Sequence, residues 1–93
     1  MAYKQISGTE IYWADKDNDG KYDTYLTHEE DESGKQQIVE RSGGAHHIHR
    51  SGTDTANFER IIKEFNAVPE SQGAKEGVEY DVSKAAGTEE TGW

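Results

Sequence analysis

Thr9-Glu10-Ile11-Tyr12-Trp13-Ala14, Asp15-Lys16-Asp17-Asn18-Asp19-Gly20 and Lys21-Tyr22-Asp23-Thr24-Tyr25-Leu26-Thr27-His28-Glu29 run consecutively, and their reading decides the fold. In the third part Tyr22, Thr24 and Leu26 alternate with Asp23, Tyr25 and Thr27. A period of two is what a half-buried strand requires, because successive side chains leave opposite faces of the sheet. Ile11, Tyr12 and Trp13 suit the first part to a strand as well. Asn18-Asp19-Gly20 is a strong turn signal between them, since Asn and Gly tolerate positive φ. The three parts together predict a β-hairpin with an acidic tip.

Working outward, Glu29-Glu30-Asp31-Glu32-Ser33-Gly34 reads as a polar turn. Residues 36–41, centred on Ile38 and Val39, form a third strand that Ser42-Gly43-Gly44 ends. Residues 45–50 make a short fourth strand carrying His46, His47 and His49. Thr53 or Asp54 can accept hydrogen bonds from the free N–H groups of a helix's first turn. Phe58, Ile61, Ile62 and Phe65 follow at i, i+3, i+4 and i+7, one face of a helix. Pro69 ends that helix beyond Val68. The fold class is therefore α+β: a small antiparallel β-meander of three to four strands with one packed helix, over residues 1–68. Residues 69–93 are too poor in apolar side chains to offset the entropy of ordering them, so they are expected to form a flexible acidic tail. Val78-Glu79-Tyr80-Asp81-Val82 alternates like a short edge strand within it.

Composition narrows the class of function. The chain has 93 residues, a formal net charge of −9, 31% hydrophobic residues and no cysteine. One domain is the ceiling at this length, and the core must be small. The lack of cysteine excludes a disulfide scaffold and thiolate-ligated zinc. No apolar run approaches the roughly 20 residues that span a bilayer, and no secretory signal is visible near Met1. The compartment stays open between cytoplasm and exterior. The acidic balance opposes direct nucleic-acid binding and favours cations, or a partner protein with a basic surface.

Asp15-Lys16-Asp17-Asn18-Asp19-Gly20-Lys21-Tyr22-Asp23 reads D-x-D-x-D-G-x-x-D. This run resembles the first nine positions of the EF-hand calcium loop, and similar runs occur in dockerin-type and thrombospondin-type repeats and in calcium loops set between strands. Calcium takes 6–8 oxygen ligands, which carboxylates on alternate residues of a tight loop can supply. The resemblance implies Asp15, Asp17 and Asp19 as side-chain ligands of Ca²⁺, Lys21 as a backbone-carbonyl ligand, and Asp23 as a direct or water-mediated one. The chain departs from the EF-hand at the twelfth position, where Leu26 replaces the bidentate Glu, and its flanks read as strands. The β-flanked kind of loop fits better, with a missing ligand drawn from the 29–32 run or from water. The alternative is an Asx-rich turn with no ion, since Asp and Asn readily bond their own backbone.

The other candidates carry less chemistry. His47 and His49, at i and i+2 of a strand, share a face and can hold a transition metal, with His28 or a carboxylate as a third ligand. The opposing reading is an exposed polar strand. The histidine hairpin followed by a helix bearing Asn57 is similar in layout to ββα-metal nucleases, but that family's spacing is missing and the −9 charge opposes DNA. The imidazoles beside an acidic surface also suggest a response to pH near 6. Tyr3, Tyr12, Trp13, Tyr22 and Tyr25 crowd the first hairpin, with one face toward the helix and the other an exposed aromatic patch. Trp93 can serve as a tail anchor for a partner. The function expected is that of a small non-enzymatic calcium-binding protein whose ion ties the first hairpin turn. The alternative is an acidic interaction module or inhibitor, similar in composition to the nucleic-acid-mimicking phage type, in which the loop is only a turn.

Overall fold

A computed structural model describes residues 3–49 and 55–85. In chain order the elements are β1 (Lys4–Gln5), β2 (Tyr12–Ala14), β3 (Thr24–Glu30), β4 (Gln36–Ser42), β5 (Ala45–His49), α1 (Thr55–Glu64) and β6 (Val68–Pro69). The strands form one sheet in the order β5-β4-β3-β2-β6, with β1 also on β3. Every pairing is antiparallel. The α+β class and the β-meander expected from the sequence are present. The sheet has six strands where three to four were expected, because β1 and β6, of two residues each, are too short to leave a periodic signal.

β3 organises the sheet. Along one edge it pairs with β4 from Thr24↔Ser42 to Glu30↔Gln36. Its other edge is shared by β2, at Tyr12↔Leu26 to Ala14↔Thr24, and β1, at Lys4↔Glu30 and Gln5↔Glu29. Between β1 and β2 the chain turns outward, fastened where the Ile6 N–H donates to the His28 carbonyl at 2.9 Å. β4 and β5 join through Gly43-Gly44, a two-residue turn flanked by the pair Ser42↔Ala45. Gly43 has φ 60°, the left-handed value that such hairpin turns demand and side chains resist.

The alternation along β3 and β4 sends apolar residues to both faces. On one face Ala14, Leu26 and Ile38 meet Phe58, Ile61 and Ile62 of α1, together with Ala67. Leu26 and Ile38 are fully buried. Burying such a side chain contributes about 1.5–3 kcal/mol. Phe58, Ile61 and Ile62 form the buried helical face, while Phe65, expected as its fourth member, lies one residue past α1 and is half-buried. Tyr12 meets Phe58 edge-on at 5.8 Å.

The other face holds Trp13, Tyr22 and Val68, packed with Ala74 and Ala85. Trp13 is 7% exposed and Tyr22 3%, so the exposed aromatic patch expected there is instead covered. The cover is the chain beyond Pro69. It makes a 3-10 turn at Glu70–Gln72, runs past β2 and β3, and makes a second turn at Val82–Lys84. The Trp13 indole N–H donates to Glu70 Oε2 at 3.0 Å. The edge strand expected at 78–82 is reduced to one bridge, Lys21↔Glu79. Residues 70–85 thus lie docked on the sheet where composition alone suggested a loose segment. The helix entry at Thr53 and Asp54, and Trp93, lie outside the described residues.

This docking is testable. Ala74→Glu or Ala85→Glu places an unpaired carboxylate in a closed apolar site and should cost about 1–3 kcal/mol in urea unfolding. Native-state hydrogen exchange should quicken at the Tyr22 amide, which donates to the Val78 carbonyl, while β3–β4 amides keep their protection. A change within about 0.5 kcal/mol, the range of ordinary surface substitutions, would mean the segment is not docked.

Candidate metal centre

The loop of residues 15–23 joins β2 to β3, and its shape follows from its Asp, Asn and Gly residues. Asn18 at φ 60° and Gly20 at φ 91° turn the chain tightly enough for its carboxylates to face inward. The Asp15 carboxylate accepts from the Asp19 N–H at one oxygen and the Gly20 N–H at the other, each at 3.0 Å. Asp17 Oδ1 accepts from the Asp19 N–H at 3.2 Å, and Asp19 Oδ1 from the Lys21 N–H at 2.9 Å. Asp23 closes the ring by accepting from the Lys16 N–H at 3.2 Å and the Thr24 hydroxyl at 3.1 Å.

The result is convergence. Asp15, Asp17, Asp19 and Asp23 each offer a carboxylate oxygen, and the four atoms lie within 4.8 Å of one another. Asp17 and Asp19 are exposed, while Asp15 and Asp23 are half-buried. Four such groups can hold a metal ion. Asp17 and Asp23 respond to this crowding in opposite directions. Asp17 is pushed up to about 6, first by sharing a hydrogen bond with Asp23, then by partial loss of solvent, and last by the charges of Asp19 and Asp23, against the Asp19 N–H that favours its anion. For Asp23, burial pushes the pKa upward but is outweighed by hydrogen bonds from Asp17, the Lys16 N–H and Thr24, so its pKa ends below the usual carboxylate range. The first proton the loop takes is therefore shared between Asp17 and Asp23.

The loop is also clamped from two sides that the sequence did not reveal. Lys16 Nζ forms an ion pair with buried Glu40 of β4, and lies 5.0 Å from the centre of the Phe65 ring. On the other side the Tyr80 N–H donates to the Gly20 carbonyl at 2.9 Å, and the Tyr80 hydroxyl to the Asn66 carbonyl at 2.6 Å. A cleft of about 210 Å³ beside Asp15 and Asn18 is completed by Glu64 and Asn66. Nothing in the local pattern announces these neighbours, since 40 and 80 are distant in sequence.

The 29–32 run does not supply the missing ligand. It begins at the far end of β3, a seven-residue strand, about 20 Å from the loop at strand rise. Glu29 is buried there and paired with Arg41 at 2.7 Å, with the Thr27 hydroxyl also donating to it. Asp31 closes its own turn, accepting from the Ser33 hydroxyl and the Ser33 and Lys35 N–H groups.

His47 and His49 do share a face, with ring centres 5.1 Å apart. His49 Nε2 lies 3.0 Å from Glu40 Oε1, so its partner is a carboxylate that Lys16 also holds. His28 is separated from them by β4 and stacks on Phe58 at 5.4 Å. Among the described residues, the converging ligand groups comprise the four aspartates and no histidine. Asn57 is engaged by the Arg60 guanidinium at 2.6 Å on the helix surface. No protein-family model matches the chain, and neither a curated protein nor a solved structure does.

The acidity of Asp17 gives the loop a pH signature. The folded loop holds a proton that an unfolded chain has already released, so this contribution to stability is full below about 4 and is lost as pH rises through about 6. Asp23 acts oppositely, and loses its contribution only as pH falls below the ordinary carboxylate range. In chelator-treated buffer the thermal midpoint should fall between about pH 4.5 and 7 from this cause, and Asp17→Asn should remove part of that fall. An identical pH profile in the variant would show that Asp17 does not carry the proton.

Proposed function

We propose that the protein is a small non-enzymatic calcium-binding protein, in which the ion ties the turn of the first hairpin. The observation that supports this reading is the convergence of Asp15, Asp17, Asp19 and Asp23 on a D-x-D-x-D-G-x-x-D loop. Calcium suits the site because it is a hard cation that accepts oxygen ligands in flexible numbers and tolerates water among them. Lys21 would add its carbonyl. A divalent ion offsets the repulsion among four carboxylates whose oxygens lie within 4.8 Å of one another. Its action is structural: it fixes the hairpin tip, and so the positions of Trp13 and Tyr22 on either side of it. With few protein ligands, affinity belongs with the weak extracellular modules, at about 10⁻⁴–10⁻³ M.

A second reading has one observation in its favour. The N–H groups of Lys16, Asp19, Gly20 and Lys21 already bond the loop carboxylates, which closes a turn with no ion. On that reading the loop is a scaffold, and the acidic surface meets the basic surface of a partner.

Adding Ca²⁺ to chelator-treated protein should give saturable amide shifts at Gly20 and Lys21. Asp17→Ala and Asp19→Ala should each weaken binding by about tenfold or more, while Glu32→Ala should not. Silence of the loop amides up to about 10 mM Ca²⁺, above the weakest loop class, would sink the calcium reading. Under the second reading, polylysine binds in low salt with the loop variants unchanged, and salt abolishes it.

A further inference from the structure

A separate part of the molecule carries a recognition feature independent of the aspartate loop. Between α1, the turn before β2 and strands β2 and β3 lies a cavity of about 260 Å³, lined by Glu10, Tyr12, His28, Phe58 and Glu59 among others. Three aromatic rings, those of Tyr12, His28 and Phe58, are part of its lining. Tyr12 stands edge-on to Phe58 at 5.8 Å, and His28 is stacked on Phe58 at 5.4 Å. Two carboxylates join from different elements, Glu10 from the turn and Glu59 from α1. Glu10 is steadied because its Oε1 accepts from the Ser71 N–H at 2.8 Å. Tyr12 registers both: burial first, then the charges of Glu10 and Glu59, raise its hydroxyl above the ordinary phenol value.

We propose that this cavity binds a primary alkylammonium group. The chemistry of the lining selects that class over others. Two carboxylates call for a cation and repel anions. Aromatic rings attract a cation through their negative faces, and more strongly where water is partly excluded. Calcium or magnesium needs about six oxygen ligands. This lining offers two carboxylates, the Tyr12 phenol, the Thr9 hydroxyl and the His28 imidazole beside Phe58 and Ile62, which matches a charged head on a short hydrocarbon stem. Sites for drug-sized ligands start at about 300 Å³, so the ligand here is smaller. Such a group belongs to a free aliphatic amine or to the lysine side chain of a partner.

Three probes separate these cases: n-butylammonium, Nα-acetyl-lysine N-methylamide and its neutral norleucine counterpart. Butylammonium should shift the Tyr12, Phe58 and Glu59 resonances saturably, with Kd on the order of 1 mM, and lower the pH at which Tyr12 ionises. The double variant Glu10→Gln/Glu59→Gln should weaken this by about tenfold or more, and Asp17→Asn should leave it unchanged. These glutamines preserve side-chain shape at positions that are exposed or half-exposed, so the variant keeps the fold, which its dispersed amide spectrum verifies. Equal binding of the lysine derivative assigns a side-chain ligand, and binding of butylammonium alone assigns a free amine. The proposal is overturned if norleucine shifts the same residues equally, if the shifts centre on residues 15–23, or if none of the probes saturates.

Discussion

The antiparallel pairing of β3 along both of its edges is the constraint that everything else answers to. A strand enclosed this way has no exposed backbone, and its side chains must find cover on both faces. Thr24, Leu26, Thr27, His28 and Glu29 are all buried. With hydrophobic residues at 31% of the chain, one helix cannot supply both covers. α1 takes the Leu26 and Ile38 face, and residues 70–85 take the Trp13 and Tyr22 face. Where apolar residues run out, paired charges complete the sheet, with Glu29 held by Arg41 and Glu40 by Lys16. Such pairs add little net stability on burial, but removing one partner leaves a charge that the fold cannot accommodate.

The sequence showed those parts of the fold whose physics is local. Alternation from Tyr22 to Thr27, a turn at Asn18 to Gly20 and the Phe58 to Phe65 stripe are each set by neighbours a few residues away. What escaped detection is non-local. β1 and β6 are strands only because β3 and β2 are there to pair with them. Ala74 and Ala85 are small enough to be buried without any hydrophobic period, and Gly-, Glu- and Ser-rich surroundings hide them. Glu29 looked like turn sequence because its partner Arg41 lies across the sheet, not along the chain.

The candidate site divides in the same way. The four aspartates were readable from spacing, since a loop of nine residues with Gly at the sixth can fold its carboxylates toward one point. Their convergence within 4.8 Å is the structural counterpart of that spacing. The clamps on the loop were not readable. Lys16 sits among the aspartates as an apparent solvent-facing residue, yet its ammonium reaches Glu40, and Tyr80 arrives from beyond the proline that seemed to end the domain. The histidines show the reverse case. His47 and His49 have the spacing of a metal pair, but β4 keeps His28 apart, and the Glu40 carboxylate lies at hydrogen-bond distance from His49 Nε2.

The hydrogen bonds from Tyr80 to Gly20 and from Tyr22 to Val78 join the acidic loop to the docked C-terminal segment. A loop and a segment so joined form one thermodynamic system. Any ligand that prefers the loop in its clamped shape must tighten the segment, and the segment's docking must raise that ligand's affinity by the same factor. Reciprocity makes the C-terminal residues a tuning element: substitutions at Tyr80, which holds the Gly20 carbonyl, would change the affinity of any such ligand.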